Sequence, residues 1–310
     1  MKKQKPLSAK LQKKLHKAIL LHQKGKLDQA RKQYAAILKK RPRQPDALHY
    51  LGVICYQTGE LSKAVTLIQQ AVDINPGNPF YHNNLGLSFA GANAIDNAVN
   101  SYEKAILLDP GYFEAQYNLG TALYAKGEFK KAATCFENAV HIQPENPAAY
   151  SNLTASLNKT GNYDRSIEIC EKALDQGAET IELLNNLGNA LKNTGKAHKA
   201  VACFRKCLQL NPGNAEILCN LANALYDTGK ADKAVECFKK AIAVNPEYGD
   251  AYNDMGVVYR DLRMEKEAAA CYQKVLKLKP DDPNALHNLG NLYKDAEMPD
   301  RAEEYYKKAI

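Results

Sequence analysis

The 310-residue sequence contains no tryptophan and only 7 phenylalanines, its aromatic content being carried by 18 tyrosines. No apolar run approaches the roughly 20 residues needed to span a bilayer as a helix. The one apolar run near the basic N-terminus, Ala18-Ile19-Leu20-Leu21, is followed at once by His22 and Gln23, with no small-residue cleavage site. No secretory signal is read, and a cytoplasmic location is expected. Catalytic signatures are missing too: there is no Gly-rich phosphate loop ending in Lys-Ser/Thr, no Gly-x-Ser-x-Gly and no His-Glu-x-x-His. His16, His22, His49, His82, His141, His198 and His287 are scattered and join no Cys or carboxylate at a triad-like spacing. The sequence therefore predicts a protein that is not an enzyme, with no cofactor, no metal and no small-molecule substrate. Acidic residues are almost absent from one region, residues 1–44, where fifteen Lys and Arg stand against the single Asp28.

What is present is a period. Residues 113–146, FEAQYNLGTALYAKGEFKKAATCFENAVHIQPEN, repeat before and after at 34 residues without insertion, and Leu119-Gly120, Leu123, Gly127, Ala132, Phe136, Ala139 and Pro144 recur at fixed offsets. A period of this length means a stacked solenoid, whose units bury their apolar surface only against each other. Gln116, Leu119, Gly120 and Leu123 share one side of a first helix, and Ala132, Phe136, Ala139 and Val140 one side of a second. Gly127 breaks the two apart where a positive φ is wanted, and Pro144 stops the second from running on. The predicted fold is all-α, a solenoid of antiparallel helix pairs. Of the eight cysteines, Cys135, Cys203, Cys237 and Cys271 fall at one repeat position beside Phe136, Phe204, Phe238 and Tyr272 and are expected to be buried thiols. Cys203-x3-Cys207 lacks the second pair or nearby His that zinc would need.

Taken in order, residues 1–10 form a basic tail and residues 11–310 the repeats, which start at 11, 45, 79, 113, 147, 181, 215, 249 and 283 as eight full copies plus a truncated ninth. The first copy is the most degenerate, as a terminal cap should be. In the third, Asn93 stands at the usual Gly place, and Asn tolerates that backbone conformation, so the turn should survive. The copy at 147–180 departs furthest: Thr154 replaces Gly, Ser166 replaces Ala, Cys170 replaces the aromatic, and Gly177-Ala178 replaces the Pro. Looser packing and a local bend are expected there. The copies at 181, 215 and 249 return to pattern, and at 283 the turn reads Glu297-Met298-Pro299. The ninth copy stops inside its second helix with no polar helix after it, which suggests a fragment, a following domain or end-to-end self-association.

The run Leu-Gly…Tyr/Leu…Gly…Ala…Phe/Tyr…Ala…Pro at a 34-residue period resembles the tetratricopeptide repeat over essentially all of residues 11–310. The usual first-helix Trp is replaced throughout, by Leu48, His82, Gln116, Tyr150, Leu184, Leu218, Tyr252 and Leu286. The resemblance implies a right-handed superhelix of helical hairpins whose first helices line a concave groove, and a role in binding protein or peptide.

At 100° per residue, repeat positions 2, 6, 9 and 13 share the side of the first helix opposite its packed face. Position 6 reads His16, Tyr50, Asn84, Asn118, Asn152, Asn186, Asn220, Asp254 and Asn288. Asn is a mediocre helix former, so its recurrence asks for a reason. Shared descent of the copies is one; the drift of position 5 (Leu15, His49, Asn83, Tyr117, Ser151, Asn185, Cys219, Asn253, His287) argues against it. The other reason is chemical. An amide offers an acceptor and two donors, matching the N–H and C=O of a peptide unit, so a row of them can hold an extended chain without dictating its side chains. Position 9 extends the row with Asn189, Asn223 and Asn291, and position 13 adds Asp227, Asp261 and Asp295, beside Lys192, Arg260 and Lys294 at position 12. These acids read either as a solvated face or as a bias toward basic ligands. The row is similar to the repeat arm of the O-linked N-acetylglucosamine transferases, where groove asparagines hold substrate polypeptide. That likeness keeps open a recruiting arm for a larger enzyme. The chaperone-binding subtype, which clamps a C-terminal carboxylate with Lys and Arg, is disfavoured because position 6 has no Arg and position 2 carries Asp46, Glu114, Glu182, Glu216 and Asp250.

Residues 1–44 carry a net +14; since the whole chain is +8, residues 45–310 carry −6. A basic head on an acidic body can attract a weak anionic partner, nucleic acid or membrane surface, or can serve only to keep the end solvated.

Overall fold

The computed structural model describes residues 8–309, so most of the expected basic tail lies outside the described residues. Eighteen helices and no strand are found among the described residues. They run α1 (Ala9–Gln23), α2 (Leu27–Lys40), α3 (Pro45–Gln57), α4 (Leu61–Ile74), α5 (Pro79–Gly91), α6 (Ile95–Leu108), α7 (Phe113–Ala125), α8 (Phe129–Ile142) and α9 (Pro147–Lys159). They continue through α10 (Tyr163–Asp175), α11 (Ile181–Asn193), α12 (Ala197–Leu210), α13 (Ala215–Asp227), α14 (Ala231–Val244), α15 (Gly249–Asp261), α16 (Glu265–Leu278), α17 (Pro283–Asp295) and α18 (Pro299–Ala309). Each first helix after α1 begins at the residue where the repeat restarts; α1 itself begins at Ala9, two residues ahead of Leu11.

The chain divides into two compact units, residues 1–156 and 157–310, each built in the same way. The division falls near the chain's midpoint, inside the copy that departs furthest from the pattern. In the first unit α1/α2, α3/α4, α5/α6 and α7/α8 pair as hairpins, and α2, α4 and α6 pack on α3, α5 and α7 in turn. The second unit repeats this with α11/α12 through α17/α18. First helices of adjacent hairpins also touch, α3 with α5 and α5 with α7 in one unit, α11 through α17 in the other. Within a hairpin, small residues let the two helices approach: Ala132 and Ala139 of α8 are fully buried beside Phe136.

Local chemistry starts and stops the helices. Pro45, Pro79 and Pro283 occupy the first turn, where a missing N–H costs nothing. Asn78, Thr180, Asn214 and Asp282 cap α5, α11, α13 and α17 through side-chain oxygens. The turn inside each hairpin has one geometry. Gly127 sits at φ +78°, its N–H bonds Tyr124 O at 2.9 Å, and Glu128 N–H bonds Leu123 O at 2.9 Å. Asn93 takes the same left-handed conformation at φ 59°, as expected from its type. The copy at 249 does not return fully to pattern, because Arg263 occupies the glycine place at φ 60°; its N–H bonds Arg260 O and Met264 N–H bonds Tyr259 O, at 2.9 Å each. Glu297 does likewise at φ 55°.

A side chain in that region strains against the backbone by about 1–2 kcal/mol. A Cβ at Gly127 would meet nothing within 4 Å, so conformation alone decides the outcome there. Gly127→Ala should therefore destabilise by about 1 kcal/mol, whereas Arg263→Gly should stabilise by about 0.5 kcal/mol after glycine's own entropy loss is counted. Urea midpoints check both; the same sign at the two sites would contradict the account.

In the divergent copy the missing Pro is replaced by a glycine cap. α10 ends at Asp175, Gly177 takes φ +83°, and Gly177 N–H and Ala178 N–H return to Leu174 O and Ala173 O at 2.9 and 3.0 Å. Thr180 Oγ1 then accepts from Leu183 N–H at 3.1 Å to open α11. The copy's departures are thus compensated locally at its end.

Candidate functional site

The position-6 asparagines are half-buried rather than fully exposed, and the reason is a hydrogen bond to the preceding copy. In the first unit Asn84 Nδ2 donates to His49 Nε2 at 2.8 Å, Asn118 to Asn83 Oδ1 at 3.0 Å and Asn152 to Tyr117 Oη at 2.9 Å. In the second unit Asn220 donates to Asn185 Oδ1 at 2.9 Å and Asn288 to Asn253 Oδ1 at 2.8 Å. Every partner lies 35 residues back, at position 5 of the previous copy. Position 5 therefore does not drift freely. In these five rungs its residue type changes while its hydrogen-bond acceptor stays. These residues were missed in the sequence, and the available signal was a shared capacity to accept rather than a shared letter.

Each amide spends one N–H on its neighbour. The Oδ1 atoms of Asn84, Asn118, Asn220 and Asn288 accept from no described residue. Asn186, also half-buried, belongs to the same row by position. Where Asp254 replaces Asn in the row, it cannot donate, and Asn223 Nδ2 of the previous copy instead donates to its Oδ2 at 2.8 Å. Cys219, at position 5 of that rung, is buried, and its thiol is pushed up to about 12, first by burial and then by the Asp254 carboxylate.

Asn189 is half-buried, and Asn291 Oδ1 accepts from Tyr306 Oη at 2.8 Å. Asp227, Asp261 and Asp295 are all exposed at the end of their helices. Asp261 already accepts a short hydrogen bond from Tyr226 Oη and pairs with Arg260 at 3.3 Å. Asp227 and Asp295 form no ion pair with a described residue. A pocket of about 360 Å³ in the second unit, lined by Asp250, Val275, Leu278 and Asp282 among others, includes no residue of positions 6, 9 or 13.

The first rung has its own electrostatics. His49 is 4% exposed, between the rings of Tyr50 and Tyr81 at 5.0 and 4.6 Å. Burial, helped by repulsion from His22, holds its pKa down at about 4, so the ring is neutral at pH 7 and its Nε2 can accept from Asn84. All eight thiols are free; Cys203 and Cys237 are half-exposed, against the expectation of burial, and the other six are buried. Burial raises Cys135, Cys207 and Cys271 to about 11, which keeps them protonated and poorly nucleophilic at neutral pH. Among the described residues no group of three or more His, Cys, Asp or Glu is placed to hold a metal, and no helix is long and apolar enough to cross a membrane.

Residues 11–253 match the family model of the Cilia and flagella-associated protein 70 C-terminal domain. Residues 266–296 match a TPR repeat model and residues 283–310 a tetratricopeptide repeat model. A comparison with curated proteins found no match. Among solved structures, the chain is similar to one in the crystal structure of the APC/C hetero-tetramer Cut9–Hcn1, with TM-score 0.59 and 18% identity over 93% of this chain and 55% of that one. It is also similar to a tetratricopeptide repeat protein from Parabacteroides merdae ATCC 43184, with TM-score 0.55 and 18% identity over 81% of this chain and 99% of that one. The chain thus spans about half the length of the Cut9–Hcn1 chain it matches, and at this identity the likeness is one of fold.

Proposed function

The chain belongs to the tetratricopeptide repeat family represented by the C-terminal domain of cilia and flagella-associated protein 70, and from that premise we propose that it is a protein-binding scaffold whose asparagine row holds extended polypeptide. The observation that supports this reading is the geometry of the rungs. Each hydrogen bond to the previous copy fixes the amide plane, and Asn84, Asn118, Asn220 and Asn288 keep a carbonyl oxygen free to accept a backbone N–H from a ligand. Preorganised acceptors lose little entropy on binding. Packed helices sit roughly 10 Å apart and an extended chain advances roughly 3.3 Å per residue, so successive rungs meet about every third peptide unit. Within each unit such a row reads backbone rather than sequence. Asp227 and Asp295 would add a preference for Lys or Arg side chains.

Since each amide has two roles, the test must separate them. Replacing Asn118, Asn152, Asn186 and Asn220 together by Ala should weaken binding of a fluorescein-labelled, unstructured Gly/Ser/Lys peptide at least tenfold, while helicity is kept because Ala is the better helix former. Replacing the partners Asn83 and Asn185 by Ala breaks two rungs but leaves every position-6 carbonyl in place. It should lower stability by about 1 kcal/mol per rung and weaken peptide binding far less than the quadruple variant does. If both variants lose stability alike and neither loses peptide, the row is a stacking device and the binding surface lies elsewhere.

A further inference from the structure

In α1 the stripe that other first helices turn to the preceding hairpin carries charge. Positions 3, 7 and 10 are Ala115, Leu119 and Ala122 in α7, and Ile217, Leu221 and Ala224 in α13, all buried. Tyr81 and Leu85, at positions 3 and 7 of α5, pack into one cluster with Ile68, Ala71 and Val72 of the second helix before them. In α1 the same places hold Lys13, Lys17 and Leu20, all exposed, and Lys24 continues the stripe at position 14. It runs along roughly 16 Å of helix, at about 1.5 Å per residue, with Lys10 and Lys14 beside it. Residues 8–44 hold twelve Lys and Arg against Asp28, a net +11. Arg31 is drawn to Glu60, but Lys10, Lys13, Lys14, Lys17 and Lys24 pair with no described acid.

We propose that this stripe docks the phosphate backbone of a nucleic-acid duplex. A cationic helix face with no counter-charge calls for an anionic partner, and three kinds compete. A bilayer surface is the poorer fit, because the apolar side of α1 cannot insert: Leu11, Leu15, Ala18 and Ile19 pack with Tyr34, Ile37 and Ile54, and only Leu20, 42% exposed, is left outside. An acidic polypeptide presents at most one charge per roughly 3.3 Å of extended chain. A duplex presents one per about 1.7 Å of axis, so counter-ion release favours it on the same set of lysines. Lysines suit this contact as point charges toward phosphate. Tyr34, the aromatic of α2, is fully buried and α1 carries no Phe, Tyr or Trp, so none of these rings is offered to unstacked bases, and the contact is to duplex backbone without sequence readout. The proposal uses a surface apart from the asparagine row and does not rest on the groove reading.

The test is fluorescence anisotropy of a labelled 20-base-pair DNA duplex of random sequence with the full chain between 50 and 200 mM salt. Affinity should fall with salt at a log–log slope of about −3 to −4, near 0.9 per phosphate contacted. Replacing Lys13, Lys14, Lys17 and Lys24 together by Gln should weaken binding at 50 mM more than tenfold and remove about 3 from the slope. Arg at the same four places should restore both, and circular dichroism should show the helix content of each variant unchanged. Two further arms use vesicles containing 30% phosphatidylserine and a poly-glutamate peptide. Absent duplex binding at 50 mM, an unaffected Gln variant, or tighter binding to vesicles or poly-glutamate than to duplex would each overturn the proposal.

Discussion

Gly120→Leu should destabilise its hairpin by about 3 kcal/mol, the upper end of what overpacking costs. A Cβ built on Gly120 lies 2.8 Å from Phe136 Cε1, 2.9 Å from Cζ and 3.0 Å from Cδ1. Three ring atoms thus crowd the place a side chain would fill, and Phe136 is 1% exposed, so it can yield only a little. The same meeting recurs where a Cβ on Gly188 would lie 2.6 Å from Phe204, and on Gly256 2.6 Å from Tyr272. A methyl alone is tolerable, because Ala18 and Ala222 hold the equivalent place in copies that carry Tyr34 and Phe238. Leu adds three more carbons in the ring's own volume. Shrinking the ring should give part of the loss back: in a double-mutant cycle, Phe136→Leu combined with Gly120→Ala should cost less than the two separately. Urea denaturation of the single and double variants reads this directly, and a loss below about 1 kcal/mol for Gly120→Leu would show that the two helices yield more readily than the contact implies.

That contact also explains why so much of the fold could be read from the sequence. Gly at position 8 and an aromatic at position 24 are coupled by volume, and both are visible as letters. The copy with Thr154 for Gly also has Cys170 for the aromatic, a paired change in opposite directions. The helix ends were legible for the same reason, since Pro at a first turn and Gly at a hairpin turn are demanded by backbone geometry. Where geometry is carried by a residue with no such preference, the sequence misleads. Arg263 and Glu297 occupy left-handed turns because the flanking helices hold them there, and nothing in either side chain announces it.

The asparagine row was half legible. A period-34 Asn on one helix face pointed to a purpose, and the amide chemistry pointed to backbone recognition. What the letters hid was that His49 Nε2, Asn83 Oδ1 and Tyr117 Oη do the same work, accepting one N–H from the next copy. A repeat alignment scores these three residues as unrelated, whereas a hydrogen bond requires only an acceptor at the right height. Burial of position 5 was equally hidden, since His49 and Asn83 are polar and yet 4% and 3% exposed. The partner at position 5 is what makes burying the position-6 amide affordable.

The rung that uses a histidine carries a consequence the others do not, and it sets the second large expected effect. His49 is neutral in the fold with its pKa near 4, whereas an unfolded histidine titrates near 6.5. Charging it in place would put a proton on Nε2, against the Asn84 N–H it accepts, inside a buried site whose Nδ1 has no partner. The unfolded chain therefore binds one more proton than the folded one between the two values. Stability is fully present above about pH 6.5 and is lost as pH falls toward 4, with a total on the order of 3 kcal/mol if the whole shift is realised. Arg31 holds Glu60 down at about 2, so that pair gives way at lower pH and does not overlap most of this window. His49→Asn should flatten the profile while keeping the rung, because Asn83, Asn185 and Asn253 accept the same bond in other copies. Urea midpoints of the two proteins at pH 7.0 and 4.5 decide it. The parent should lose much more stability than the variant over that interval, and parallel losses would mean that His49 can take up its proton without giving up the bond to Asn84.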